Sequence, residues 1–129
     1  MIGVFLITHG SFGEALLQNV YHVLNRRPPL LAQLGLAAQD DPLDLLPTAQ
    51  RMLASVDVGD GVLILTDIFG ASPANLALKL LEPGRVEGVA GVNLPMLLRV
   101  LTYREKGLET MLQKAISGGR DGVCDMSGV

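Results

Sequence analysis

Cysteine is nearly missing from this 129-residue chain: Cys124 stands alone. An intramolecular disulfide, a cysteine-based zinc site and a two-thiol redox motif are therefore excluded, and a reduced compartment suits the chain. Tryptophan is absent, and two tyrosines and three phenylalanines offer little for stacking nucleotide bases. Positive charge is sparse and scattered. Ten Lys and Arg against thirteen Asp and Glu give a net charge of -3, so no basic face for nucleic acid is expected. No apolar run reaches the roughly 18–20 residues of a bilayer span, so direct membrane insertion is not expected either. The N-terminus has no basic region ahead of its first apolar run, so no signal peptide is expected and the cytoplasm is the default location. Neither Gly-x-Gly-x-x-Gly after a strand nor Gly-x-x-x-x-Gly-Lys-Ser/Thr occurs. Cradles for dinucleotides and nucleoside triphosphates are thus unsupported.

What the chain has in quantity is apolar strand-length runs. It is 49% hydrophobic with a mean hydropathy of +0.39, as expected of a sheet covered on both faces. Strands are expected over about 2–8, 30–36, 62–66 and 86–92, each followed by a helix-period segment. The first helix, from Ser11 or Gly13 to Leu24, stops at Pro28-Pro29. A second begins at Asp41 as N-cap with Pro42 in the first helical position. A third runs from Pro73 to Leu81 with Ser72 as N-cap. Two more cover about 95–103 and 108–117, and Gly118-Gly119 is read as a break before a short last strand over 120–126. Repeated strand–helix alternation predicts one α/β domain over 1–129. Right-handed crossovers leave a few doubly wound orders, and the one expected is an open sheet of four parallel strands in order 2-1-3-4, with helices on both faces.

Two polar residues stand at the ends of strongly apolar strands: His9 after the first, Asp67 after the third. In order 2-1-3-4 the winding reverses between those strands, so their carboxyl ends flank one crevice. A carboxylate accepting the Nδ1 proton of His9 would fix the tautomer that leaves the Nε2 lone pair free. That is the arrangement of an oriented nucleophile. Both loops run into helices, so the backbone around Gly10, Ser11 and Gly13 and around Gly70, Ala71 and Ser72 is suited to hold an anion. The residues fit a histidine that accepts a phosphoryl group and gives it away, with no metal and no cofactor required. Phe12 and Phe69, in the two loops beside His9, are candidates for an apolar rim that docks a partner protein.

Each residue also has an ordinary structural use. A histidine at a strand end is often a hydrogen-bonded loop residue, an Asp before a glycine-rich turn is a turn former, and Ser-Pro caps helices. The functional reading rests on all three landing on one crevice. His22, mid-helix with no evident partner, is read as a surface or packing residue, and Cys124 as a small buried side chain. A receiver domain would also carry an Asp after its third strand. It needs acidic metal ligands after the first, where this chain has Thr8-His9-Gly10. Histidine phosphatases carry Arg-His-Gly; Thr8 here replaces the phosphate-clamping arginine, which ranks a hydrolase low.

Three blocks in order, Ile7-Thr8-His9-Gly10, Leu65 to Asn75 (Leu-Thr-Asp-Ile-Phe-Gly-Ala-Ser-Pro-Ala-Asn) and Ala90 to Leu97 (Ala-Gly-Val-Asn-Leu-Pro-Met-Leu), resemble the mannose-family IIA component of the bacterial phosphoenolpyruvate-dependent sugar phosphotransferase system. The resemblance covers essentially the whole chain. It implies a cytoplasmic phosphocarrier in which His9 takes phosphate on Nε2 from the histidine-containing phosphocarrier protein and passes it to a IIB component. Asp67 would orient His9, while Ser72 and the Gly70-Ala71 amides would lie by the phosphate. It also implies a homodimer whose C-terminal strand, here 120–126, crosses antiparallel to the partner's sheet edge. IIB is expected to be met in trans, with association to a IIC/IID transporter. The alternative is a stand-alone regulatory phosphoprotein, in which the phosphorylation state of His9 gates partner binding without sugar transport.

Overall fold

The computed structural model describes residues 1–128. Its elements are β1 (Gly3–His9), α1 (Phe12–Leu24), β2 (Leu31–Leu36), α2 (Pro42–Val56), β3 (Val62–Thr66), α3 (Ser72–Leu78), β4 (Val86–Ala90), α4 (Leu94–Thr102) and α5 (Leu108–Asp121). The four strands form one sheet in order β2-β1-β3-β4, and every pairing is parallel. The expected fold class is thus what the chain adopts.

The two-residue period of a strand explains how so apolar a chain folds. Val4 and Leu6 of β1, with Leu63 and Leu65 of β3, face a layer made by α1, α4 and α5. Phe5 and Ile7, with Val62 and Ile64, face the layer made by α2 and α3. Both sets are fully buried, so truncating any of these Leu or Ile residues to Ala should cost about 2–5 kcal/mol. The split also follows from right-handed crossovers. The step β1-α1-β2 moves outward one way, and β2-α2-β3 and β3-α3-β4 move back the other, which places α1 on one face and α2 and α3 on the opposite face. The reversal falls between β1 and β3.

The far end of the sheet is held by a residue that periodicity does not reveal. Arg104, 4% exposed, donates to the carbonyl oxygens of Ile2 (2.9 Å) and Leu30 (2.8 Å) and to that of Pro29. It thereby ties the start of β1 to the segment entering β2. Burial lowers its pKa below the ordinary arginine value, but a guanidinium stays charged regardless, and charged donors make the strongest hydrogen bonds.

Several boundaries differ from expectation. Ala71, extended at φ -97 and ψ 173, caps α3, and Ser72 is its first helical residue without a side-chain capping bond. α3 stops at Leu78, short of Leu81, and β4 at Ala90, short of Val92. The main correction is at the C-terminus. Gly118-Gly119 does not break α5, which continues to Asp121, and 122–128 are irregular. The strand expected over 120–126 is therefore not formed within this chain. The glycines serve packing instead of termination. A Cβ on Gly118 would lie 2.9 Å from Arg99 Cβ, and one on Gly119 2.9 Å from Met96 Cε, so bare backbone is what lets α5 lie against α4. Arg99 closes the contact by donating to Asp121 Oδ2 at 2.8 Å.

Candidate functional site

The carboxyl ends of β1 and β3 open into a crevice of about 500 Å³ lined by His9, Phe12, Asp67, Ile68 and Val92. It lies at the reversal of winding, where ligands collect in open α/β sheets. A larger cavity of about 780 Å³ lies elsewhere, between the free edge of β4 and the end of α5, and contains neither His9 nor Asp67.

Asp67 binds His9 through a single oxygen. Its Oδ2 accepts the His9 backbone N–H at 2.9 Å and lies 2.8 Å from Nδ1. Oδ1 accepts the N–H of Ile68 at 3.0 Å. Burial pushes the Asp67 carboxyl up, but the hydrogen bonds from the His9 backbone and ring, together with the charge on that ring and the Ile68 amide, outweigh it. The net displacement is downward. The carboxylate side chain is 11% exposed and the imidazole 49%. One partner is thus sheltered and held ionised, while the other presents its ring to solvent. Nε2 has no hydrogen-bond partner among the described residues.

The loop that follows His9 is built by two local devices. Gly10 adopts φ +50, a left-handed conformation open to glycine, and donates its N–H to Leu36 O at 2.8 Å. Thr8, fully buried, accepts the Gly13 N–H on Oγ1 at 2.8 Å. The amides of Ser11 and Phe12, and those of Gly70, Ala71 and Ser72 in the β3–α3 loop, meet no protein acceptor among the described residues. The third wall is set by Thr66, whose carbonyl accepts both Gly91 N–H (2.9 Å) and Val92 N–H (3.0 Å). Asn93 then caps α4 by accepting from Met96 N–H at 2.9 Å, and donates to Gly119 O at 3.0 Å.

His9, Asp67 and Phe12 share the crevice as expected, but the other candidates do not all line it. Phe69, 76% exposed, borders a separate groove over α3 and β4 with Leu78 and Leu81. Gly10 and Ser11 adjoin His9 in the chain, but neither they nor Gly70, Ala71 and Ser72 line the crevice. Ile68 and Val92 do border it and escaped the sequence reading. Their signal was adjacency to Asp67 and to the end of β4. His22 is exposed on α1. Cys124 is exposed, not buried. Among the described residues no three His, Cys, Asp or Glu side chains converge, and no helix is long and apolar enough to cross a membrane.

This fold is shared with the phosphotransferase system component EIIA from Streptococcus agalactiae, with a TM-score of 0.87 at 22% identity over the whole of both chains. A family model described as the PTS system fructose IIA component (EIIA-man) matches residues 3–116, and the chain belongs to that family. Among curated relatives, the fructose-specific EIIA component of Bacillus subtilis is 34% identical over 81% of this chain and 72% of its own length. The mannose-specific EIIAB component of Escherichia coli K12 is 30% identical over 95% of this chain, which spans 38% of that protein's length.

Proposed function

We propose that this chain is a cytoplasmic phosphocarrier of the phosphoenolpyruvate-dependent sugar phosphotransferase system, with His9 as the transient phosphoryl holder. The observation that carries the reading is the 2.8 Å contact between His9 Nδ1 and Asp67 Oδ2. With Nδ1–H engaged by a carboxylate, the Nε2 lone pair attacks the phosphorus of the phosphorylated histidine-containing phosphocarrier protein. The new N–P bond forms as the donor's N–P bond breaks, and that electron pair returns to the donor's imidazole. Asp67 stabilises the cationic ring that results. Transfer to a IIB component runs the same step in reverse, so the ring is regenerated unchanged.

In this reading Gly10 and Ser11 lie beside the bound phosphoryl group, and Gly70, Ala71 and Ser72 complete its cradle once a partner closes the site. Phe12, with Ile68 and Val92 around the crevice, forms the rim against which donor and acceptor dock in turn, and Phe69 extends it. The protein acts as a homodimer, in which residues 122–126 take strand form only against the unpaired edge of β4 in a second copy. The IIB partner brings it to a IIC/IID transporter.

The test is phosphorylation of the full chain with phosphoenolpyruvate, enzyme I and the phosphocarrier, followed by intact-mass spectrometry. One phosphoryl group, labile in acid and stable in base, should appear in the wild type and be absent from His9→Ala. A wild type that gains nothing, or a His9→Ala variant that still gains it, refutes the reading.

A further inference from the structure

We propose that Gly35 and Thr8 are positioning residues for phosphoryl transfer: between them they seat the 9–13 backbone so that His9 meets Asp67. The consequence for transfer rests on the phosphocarrier reading, whereas the effect on the His9 ring does not. In the β1–β2 register Gly35 lies opposite Thr8, and Leu36 opposite His9. The bond from Gly10 N–H to Leu36 O, 2.8 Å, draws the loop over the end of β2. The Gly10 carbonyl then occupies the space in which a side chain at Gly35 would begin. A methyl there would overlap the carbonyl oxygen and lie 3.0 Å from the carbonyl carbon.

Gly35 has no positive φ, so its backbone conformation is open to any residue. What it supplies is room. On the other side of the loop, the buried Thr8 Oγ1 holds the Gly13 N–H at 2.8 Å, and a Cβ on Gly13 would lie 2.8 Å from the same oxygen. The chain between Gly10 and Gly13 is thereby pinned from below by β2 and from within by the residue preceding His9. Any displacement of this loop moves both His9 groups that Asp67 Oδ2 binds, the backbone N–H and Nδ1.

The experiment reads the His9 ring of the full chain by long-range ¹H–¹⁵N correlation, alongside labelling by the phosphorylated carrier. In the wild type the neutral form of the ring should be the tautomer protonated on Nδ1. Gly35→Ala should melt cooperatively, show His9 signals shifted or averaged between tautomers, and be labelled about 10²-fold more slowly, as expected for an ångström-scale misplacement. Gly3→Ala is the comparison, because a methyl there overlaps the Val56 carbonyl oxygen at the opposite end of β1. It should melt at lower temperature with wild-type ring signals. Should Gly35→Ala not fold, Thr8→Ser should keep the wild-type ring signals and Thr8→Val should lose them. Unaltered His9 signals in Gly35→Ala, or in Thr8→Val where the former does not fold, overturn the proposal, as do signals altered equally in Gly3→Ala. If the wild type is not labelled at all, the phosphocarrier reading fails and the ring spectra still decide this one.

Discussion

Asp67 Oδ2 accepts from His9 twice, from the backbone N–H at 2.9 Å and from the ring nitrogen Nδ1 at 2.8 Å. One oxygen therefore fixes both where the residue begins and which way its imidazole faces. Asp67→Asn tests that division. With its carbonyl kept on the Ile68 N–H, its NH₂ stands where Oδ2 was, offers a proton to Nδ1 and favours the tautomer protonated on Nε2. Phosphoryl acceptance in rapid-quench labelling should fall by about 10²–10⁴-fold, the scale seen when a histidine's orienting carboxylate is made an amide. The melt should shift by no more than about 1–3 kcal/mol. An unchanged rate removes Asp67 from the mechanism.

The same pair makes a pH prediction. The Asp67 carboxyl is lowered from its ordinary value in the folded state, so the folded chain binds this proton less readily than the unfolded chain. Its stabilising contribution is then complete above the ordinary carboxylate pKa of about 4 and is lost as pH falls from there through the lowered folded value. In denaturant titrations, the stability gap between wild type and Asp67→Asn should shrink as pH falls below about 4. A gap that widens in acid contradicts the assignment.

Arg104 should separate stability from transfer. Arg104→Met takes the guanidinium donors from the Ile2, Pro29 and Leu30 carbonyls, of which Leu30 keeps the Val4 N–H, and should cost about 3 kcal/mol or more. Arg104→Lys, with one compact ammonium in place of a planar fork, should recover only part of that. The guanidinium sits at the start of β1 and His9 at its end, so the folded fraction of either variant should be labelled at the wild-type rate. Slowed labelling of the folded protein would place Arg104 in a role its position does not support.

What could be read from the sequence was local. β3 spans Val62–Thr66 as expected, and Asp41-Pro42 starts α2 as expected, with Asp41 Oδ1 accepting the Leu43 N–H at 3.0 Å. His9 and Asp67 were legible because each is the ionisable residue at the end of an apolar strand, and strand order brings them together. The failures share a cause. Gly118-Gly119 reads as a helix end by propensity, and only the approach of α4 shows that small residues were needed inside a helix. Gly35 reads as an ordinary strand glycine until Gly10 is seen lying over it. Arg104 bonds carbonyls more than 70 residues away, which no window along the chain contains. Ser72 looked like an N-cap, yet the chain turns one residue earlier, at Ala71.

The C-terminal segment yields a prediction that distinguishes packing from exchange. α5 is anchored through Asp121 by Arg99 and through the Gly119 carbonyl by Asn93. Removing 122–129 should therefore leave the monomer fold and its melting largely intact. If residues 122–126 complete the partner's sheet, the same deletion should convert a dimer to a monomer in sedimentation velocity. A truncated chain that sediments as the wild-type dimer refutes the exchanged strand while leaving the fold untouched.

The crevice rim makes a kinetic distinction. Phe12 and Ile68 are 43% and 59% exposed and border His9 without hydrogen-bonding to it. Apolar surface left open beside a reactive group is useful when a protein partner covers it, since covering it excludes water and contributes roughly 25 cal/mol per Å² of apolar area. Phe12→Ser or Ile68→Ser should therefore raise the KM for the phosphorylated donor by about 10-fold, the loss of part of one buried side chain, and leave kcat and the His9 ring spectrum unchanged. Phe69 lies over the neighbouring groove with Leu78 and Leu81, away from the imidazole. Phe69→Ser should affect donor and acceptor unequally, because a partner reaches it only by extending past α3. Equal changes in KM for both partners would place Phe69 in the shared rim instead. A fall in kcat for Phe12→Ser would show that the rim orients the ring and does more than bind.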